Sequence, residues 1–235
     1  RSSAASDVYK RQLAYKLLIV LDAVKYKKKM KKVLVTGISG YIGQHCAVEL
    51  LKEGYYVKGS LRDLERKDEV INGIKKEIDP GENLEFVKLN LLSDEGWDDA
   101  VEGCESVLHV ASPFFIREPI NEDEYIKPAR EGTLRVLKSA HKAKVKKVIL
   151  TSSIVAMMGK VLDSDEDTGT VDSESWTDEN SSNINTYMKS KTLSEKAAWN
   201  FIKQQTDGAP MELTVIAVSY THLRAHETKA NLVCR

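Results

Sequence analysis

KVLVTGISGYIG, residues 32–43, is the stretch from which the fold is read. Lys32–Thr36 is a short β-branched run that ends at a glycine, the pattern of a strand buried on both faces. Thr36-Gly37-Ile38-Ser39-Gly40-Tyr41-Ile42-Gly43 then turns into a segment with helical spacing. Each glycine has a separate task. Gly37 takes a turn conformation closed to other residues. Gly40 lets the backbone approach a pyrophosphate with no Cβ in the way, and Gly43 lets the helix pack closely on the strand. The helix N-terminus offers open N–H groups and a partial positive charge to phosphates. A Gly-x-x-Gly-x-x-Gly run alone is a weak signal, but here it has the strand–turn–helix context that a dinucleotide site requires.

Outward from this turn the chain alternates. Tyr41–Glu53 is expected as a helix with Ile42, Cys46, Ala47, Leu50 and Leu51 on its inner face and Gly54 as its stop. Strands are expected at Tyr55–Leu61, Leu84–Leu89, Ser106–Val110, Lys147–Ser152 and Leu213–Val218. Between them the spacing predicts a charged helix over Glu65–Ile78, a short one near Gly96–Val101 and a long one over Tyr125–Lys142, interrupted early by Pro128. A further long helix is predicted over Asn185–Gln205. Strands alternating with helices define an α/β fold, a doubly wound parallel sheet of the Rossmann type. The acidic run 163–180 reads as a solvated loop, with Trp176 anchoring it to the domain.

The second strand ends Gly59-Ser60-Leu61-Arg62-Asp63. Arg62, with Lys67 nearby, suits a ribose 2′-phosphate and so favours NADP(H). In the alternative, Asp63 binds the 2′-hydroxyl of NAD(H) and Arg62 merely balances it.

Tyr187 and Lys191 are four apart in a helical segment and share a face. A nearby ammonium stabilises a phenolate, lowers the phenol pKa and improves proton transfer. Ser153 follows the fifth strand at the sheet edge where open α/β folds bind ligands, so its hydroxyl can hydrogen-bond a substrate carbonyl oxygen. Ser152 is the runner-up for that role. Thr186, Lys189, Ser190 and Thr192 read as surface or cofactor-margin residues.

With these residues in place the chain resembles the extended short-chain dehydrogenase/reductases, of the NAD-dependent epimerase/dehydratase family. Its nearest likeness is to the dihydroflavonol-4-reductase-like subgroup. The matching pieces are VTGISGYIG (35–43), GYYVKGSLRD (54–63), LHVASPF (108–114), PAREGTLRVL (128–137), LTSSIVA (150–156) and YMKSKTLSEKAAW (187–199). The resemblance implies an NADPH-dependent reductase of an aldehyde, ketone or flavanonol-like carbonyl, with a Ser153–Tyr187–Lys191 triad. It also implies cofactor contacts from Ser39, Tyr41, Ile42, Val110, Ala111 and Ser112, and from Tyr187 and Lys191 themselves. The family usually has Asp-Leu after the third strand to contact adenine. Here the pair is Asn90-Leu91, which keeps a hydrogen bond and loses the charge. The family continues past the sixth strand into a C-terminal substrate-binding lobe, and nothing after Val218 matches that lobe. The rival readings are a nucleotide-sugar epimerase or dehydratase with NAD, and a non-catalytic dinucleotide-binding protein.

Bulk properties set the outer limits. The 235 residues carry 35 Lys+Arg against 35 Asp+Glu, so no global field argues for nucleic acid or a membrane surface. Cys46, Cys104 and Cys234 show neither metal-ligand nor disulfide spacing, which suggests no metal and a reducing, cytoplasmic setting. The apolar stretch 13–24 is too short to span a bilayer. Segments 2–12 (SSAASDVYKRQ) and 219–235 (SYTHLRAHETKANLVCR) resemble translated adapter or vector DNA. The domain is therefore expected over 30–218, with 1–29 a leader and 219–235 a foreign tail. A small-molecule carbonyl is the expected partner, and a homodimer is an open assembly. His109 reads as a packed core histidine, and Phe114, Phe115 and Ile116 as either pocket lining or loop packing.

Overall fold

In a computed structural model the described residues are 31–114, 119–158, 171–205 and 211–218. The expected leader 1–29, the apolar stretch 13–24 and the tail 219–235 lie outside them, as do Phe115 and Ile116. Six strands form one parallel sheet: β1 (Lys32–Thr36), β2 (Tyr56–Leu61), β3 (Leu84–Lys88), β4 (Ser106–His109), β5 (Lys147–Ser153) and β6 (Glu212–Val218). The order is β3-β2-β1-β4-β5-β6. β1 lies centrally, with Val33 opposite Val57 of β2 on one side and Ser106 of β4 on the other. This is the doubly wound Rossmann arrangement, and its topological switch point lies between β1 and β4.

The continuous apolar run of β1 follows from burial on both faces. Successive side chains alternate across a strand. Val33 and Val35 therefore join one core with Ala47, Val48 and Leu51 of α1 (Tyr41–Lys52) and Val70 and Ile74 of α2 (Lys67–Ile74). Leu34 points the other way. It joins Trp97 and Val101 of α3 (Trp97–Val101), Val136 and Leu137 of α4 (Asp123–Lys142) and Ala198 of α5 (Thr186–Lys203). On α1 the fully buried positions are Gly43, Ala47, Val48 and Leu51. Ile42, Cys46 and Leu50 are only half-buried, so the inner face is turned slightly from the expected one.

Three expectations need correction. Pro128 does not interrupt α4, which begins two residues early and runs through it with Pro128 buried. The missing N–H strips a partner from only the Glu124 carbonyl, and that exposed residue can turn to water. The charged helix is shorter than 65–78. The Asp63 carboxylate caps a 3₁₀ turn over Leu64–Arg66, and α2 ends at Ile74. Finally, the acidic segment is not wholly solvated. Thr177 is fully buried, its N–H and hydroxyl donating to the carbonyls of Ala156 (2.8 Å) and Val155 (2.6 Å). Trp176 has Lys196 Nζ 5.7 Å from its ring centre, consistent with the anchoring expected of it. Among the described residues no helix is long and apolar enough to cross a membrane.

Candidate active site

Gly37 has φ +68°, and a Cβ there would lie 2.9 Å from Ala111 Cα. A Cβ on Gly43 would lie 2.4 Å from the Gly37 carbonyl oxygen. Both positions exclude side chains for internal reasons. Gly40 differs, because its backbone is extended (φ −81°, ψ 161°) and a Cβ would meet nothing nearer than 3.4 Å. The protein itself does not demand glycine at 40. A ligand that presses against the backbone would demand it. No side chain caps the first turn of α1, and that turn holds no acidic residue, so its N–H groups stand open to an anion. Ser39 and Tyr41 flank this opening half-buried, with the Tyr41 ring edge-on to His45, and Ile42 is turned partly inward. These residues fit a dinucleotide pyrophosphate.

The turn is braced from beneath. Gly37 N–H donates to the Ser60 hydroxyl at 3.2 Å. The Thr36 hydroxyl oxygen accepts from the N–H groups of Val110 and Ala111, both at 3.1 Å, and lies 2.8 Å from His109 Nδ1. A hydroxyl has two acceptor sites and one hydrogen. With both acceptor sites taken, Thr36 donates to an unprotonated Nδ1. His109 is therefore neutral, and burial, helped by the Lys191 charge, pushes its pKa down to about 3. The core reading of His109 agrees with this. Ala111 is thereby held against Gly37 at the switch point, with half-buried Val110 before it and Ser112 after it.

Arg62 is exposed and makes no ion pair or hydrogen bond among the described residues, whereas Asp63 is committed to capping the Glu65 N–H at 3.0 Å. Arg66 is neutralised by Glu69 through two contacts at 3.0 and 3.1 Å. Neither the Arg62 side chain nor that of Lys67, the first residue of α2, makes an ion pair or hydrogen bond among the described residues. The Asn90 Oδ1 accepts from the Leu92 N–H at 3.0 Å, leaving its amide donor outward on an exposed residue. Leu91 packs into the gap made by Gly132 of α4, where a Cβ would lie 2.6 Å from Leu91 Cδ2. Its side chain therefore belongs to the core.

At the far side of the crevice α5 crosses β5. Asn185 caps the helix by accepting from the Met188 N–H at 2.9 Å. Lys191 is buried and donates to the Thr151 carbonyl at 3.2 Å. Its Nζ lies 6.0 Å from the Tyr187 ring centre. Burial lowers the Lys191 pKa to about 8, against a smaller raising effect of the Glu195 carboxylate. Tyr187 is half-buried, with Phe114 edge-on at 5.5 Å and Tyr125 at 6.5 Å. Phe114 itself remains 53 % exposed. Ser153 is the last residue of β5, two beyond the carbonyl that holds Lys191, and its hydroxyl lies 3.5 Å from both Val218 O and Val155 N. Ser152 faces the opposite way and donates to Glu195, which removes it as a free hydroxyl for a substrate.

The expected surface character of Thr186, Ser190 and Thr192 is wrong. All three are buried, and the α4–α5 contact is itself made through hydroxyls, with Thr133 of α4 2.8 Å from Ser194 of α5. Ser190 and Thr192 return their hydroxyls to the carbonyls of Tyr187 (2.8 Å) and Met188 (2.9 Å). Lys189 is the exception, paired with Glu122 at 2.7 Å. Sequence reasoning also missed Thr36, Ser60 and Glu195. Glu195 did carry a signal, since it stands four after Lys191.

The parallel order, the glycine turn at the switch point and the crevice above it define a Rossmann domain. The chain belongs to the NAD dependent epimerase/dehydratase family, whose description it matches over residues 33–228. It is 42% identical over 181 residues to cinnamoyl-CoA reductase of Medicago truncatula, covering 73% of this chain and 53% of that protein. It is 34% identical over 180 residues to dihydroflavonol 4-reductase of Gerbera hybrida, covering 73% and 47%. Among solved structures, yeast methylglyoxal/isovaleraldehyde reductase complexed with NADPH superposes with a TM-score of 0.68 at 28% identity, covering 79% of this chain and 57% of that one. The chain thus spans about half the length of the curated relatives it matches.

Proposed function

We propose that this protein is an NADPH-dependent reductase that converts an aldehyde, ketone or flavanonol-like carbonyl to an alcohol through Ser153, Tyr187 and Lys191. The observation that carries the reading is the buried Lys191. It shares a helix face with Tyr187 and is tied to β5 two residues before Ser153. A buried ammonium is costly, and a fold keeps one where its charge is used. The carbonyl class is supported by the relatives, which are named as reductases of cinnamoyl-CoA, dihydroflavonol and methylglyoxal.

NADPH, when bound, supplies a hydride to the carbonyl carbon. The open first turn of α1 and the bare Gly40 hold its pyrophosphate, and Arg62 with Lys67 meets the 2′-phosphate. Asn90 would offer its amide donor to the base, and the Val110–Ser112 backbone would line the path between. The Ser153 hydroxyl donates to the substrate carbonyl oxygen. Tyr187 gives its phenolic proton to that oxygen as the carbon–oxygen π bond becomes a C–H and an O–H bond, and it regains a proton from water. Lys191 stabilises the phenolate left behind. The commitment of Asp63 to its cap argues against the NAD-dependent nucleotide-sugar reading, which needs that carboxylate for a ribose hydroxyl.

The test is Tyr187→Phe, assayed by NADPH oxidation against a carbonyl panel and by NADPH binding. The expected result is a rate loss of about 10²–10⁴-fold with binding kept, the range of a missing general acid. Equal rates in both proteins would overturn the assignment.

A further inference from the structure

The Ser152–Glu195–Trp199 group lies beneath the proposed site and is not used in the steps above. Glu195 is 8 % exposed, and both its carboxylate oxygens are occupied. One accepts from the Ser152 hydroxyl of β5 and the other from the Trp199 indole N–H at 3.3 Å. Two donors from different elements fix a buried carboxylate in one place. That place is one helical turn from Lys191, on the same face of α5 as Tyr187, Lys191 and Glu195 in succession. Among the described residues Lys191 and Glu195 form no ion pair within contact distance, so the ammonium stays free for Thr151 and a ligand while the carboxylate acts through space.

We propose that Glu195, fixed by Ser152 and Trp199, is a positioning residue that supplies the counter-charge to the buried Lys191 ammonium. The surroundings leave it little competition. Among the described residues, the other titratable groups interacting with Lys191 are Tyr187 on its own helix and neutral His109 on β4, with Tyr125 of α4 lying against Tyr187. From β5 the Thr151 carbonyl accepts from Lys191, while the Ser152 hydroxyl serves Glu195. The outward charges of α5, Lys189 and Lys196, are paired with Glu122 and Glu179. Burial works against the Lys191 charge, and Glu195 is the group that works for it. The same geometry explains why the two adjacent serines differ: Ser152 serves the carboxylate, and Ser153 is left for the substrate.

The inference rests on the proposed reductase reading, and its test separates the two. Glu195→Gln keeps an acceptor for Ser152 and removes the charge. The alkaline limb of the reduction rate should move about one pH unit lower, with the deficit smallest near pH 6. Ser152→Ala, which loosens the carboxylate without neutralising it, should move the limb less and in the same direction. Lysine ¹⁵Nζ NMR of Lys191, recorded without substrate, should show its titration moving with that limb. A pH profile parallel to that of the parent protein, or a Lys191 titration unchanged by both substitutions, overturns the proposal. A shifted titration with no reductase activity in any variant leaves the charge coupling standing and removes the reductase reading.

Discussion

The two sides of the crevice are built on opposite principles. At the β1–β4 side recognition is done by backbone: Gly37, Gly40 and the open N–H groups of α1, with Thr36 and His109 locking Ala111 from below. Every side chain in that brace is neutral. At the β5–α5 side the work is assigned to side chains, and a full ammonium and a carboxylate are buried within one turn of each other. The first side leaves no room for added atoms at Gly37 and Gly43. The second depends on charged side chains held by fixed hydrogen bonds. Under the proposed function, the dinucleotide is read by shape, whereas the reaction needs groups that can change protonation.

The sharpest way to break the contrast is Gly37→Ala. A side chain at φ +68° is strained, and its Cβ would stand 2.9 Å from the Ala111 backbone. The expected loss is about 3 kcal/mol of stability, read by urea denaturation, together with weaker NADPH binding. Survival of both would mean that the turn is softer than the contacts indicate. A smaller effect probes the neutral brace by pH. An unfolded chain protonates His109 near its ordinary value of 6.5, while the native residue refuses the proton down to about 3. This contribution to stability is therefore complete above about 6.5 and is lost as pH falls toward 3. Between pH 7 and pH 5 it amounts to about 2 kcal/mol. His109→Asn, which keeps an acceptor for Thr36, should flatten that slope, and an unchanged slope would place the acid sensitivity elsewhere. The mildest effect is expected from Arg62→Ala. It should weaken NADPH by about tenfold, in keeping with a lost charge-assisted contact, and leave NADH almost unaffected. Equal effects on both cofactors would return the 2′ position to Asp63.

Much of this architecture could be read along the chain, because its signals are local. The apolar run at Lys32–Thr36, the glycine turn and the four-residue step from Tyr187 to Lys191 each lie within a dozen residues. What escaped was set by pairings across the fold. Ser190 and Thr192 look like surface hydroxyls until the packing of α5 into the fold buries them. Glu195 looks like an exposed helix carboxylate until Ser152, 43 residues earlier, is seen to bond it. Pro128 reads as a breaker because local rules count the lost N–H and not the water available to an exposed carbonyl near a helix end. The packing of the Leu91 side chain against Gly132, 41 positions on, is likewise set by a contact across the fold.

The bond from Thr36 to His109 spans 73 positions of chain. During translation at roughly 5–20 residues per second, β1 emerges several seconds before the strand that completes it. In that interval it can pair only with β2, and one edge of the strand bearing the glycine turn is bare. Once β4 arrives, the nucleotide cradle can close while α5, starting at Thr186, is still unmade. The nascent polypeptide thus completes the glycine-turn side of the fold before the helix bearing Tyr187 and Lys191 exists.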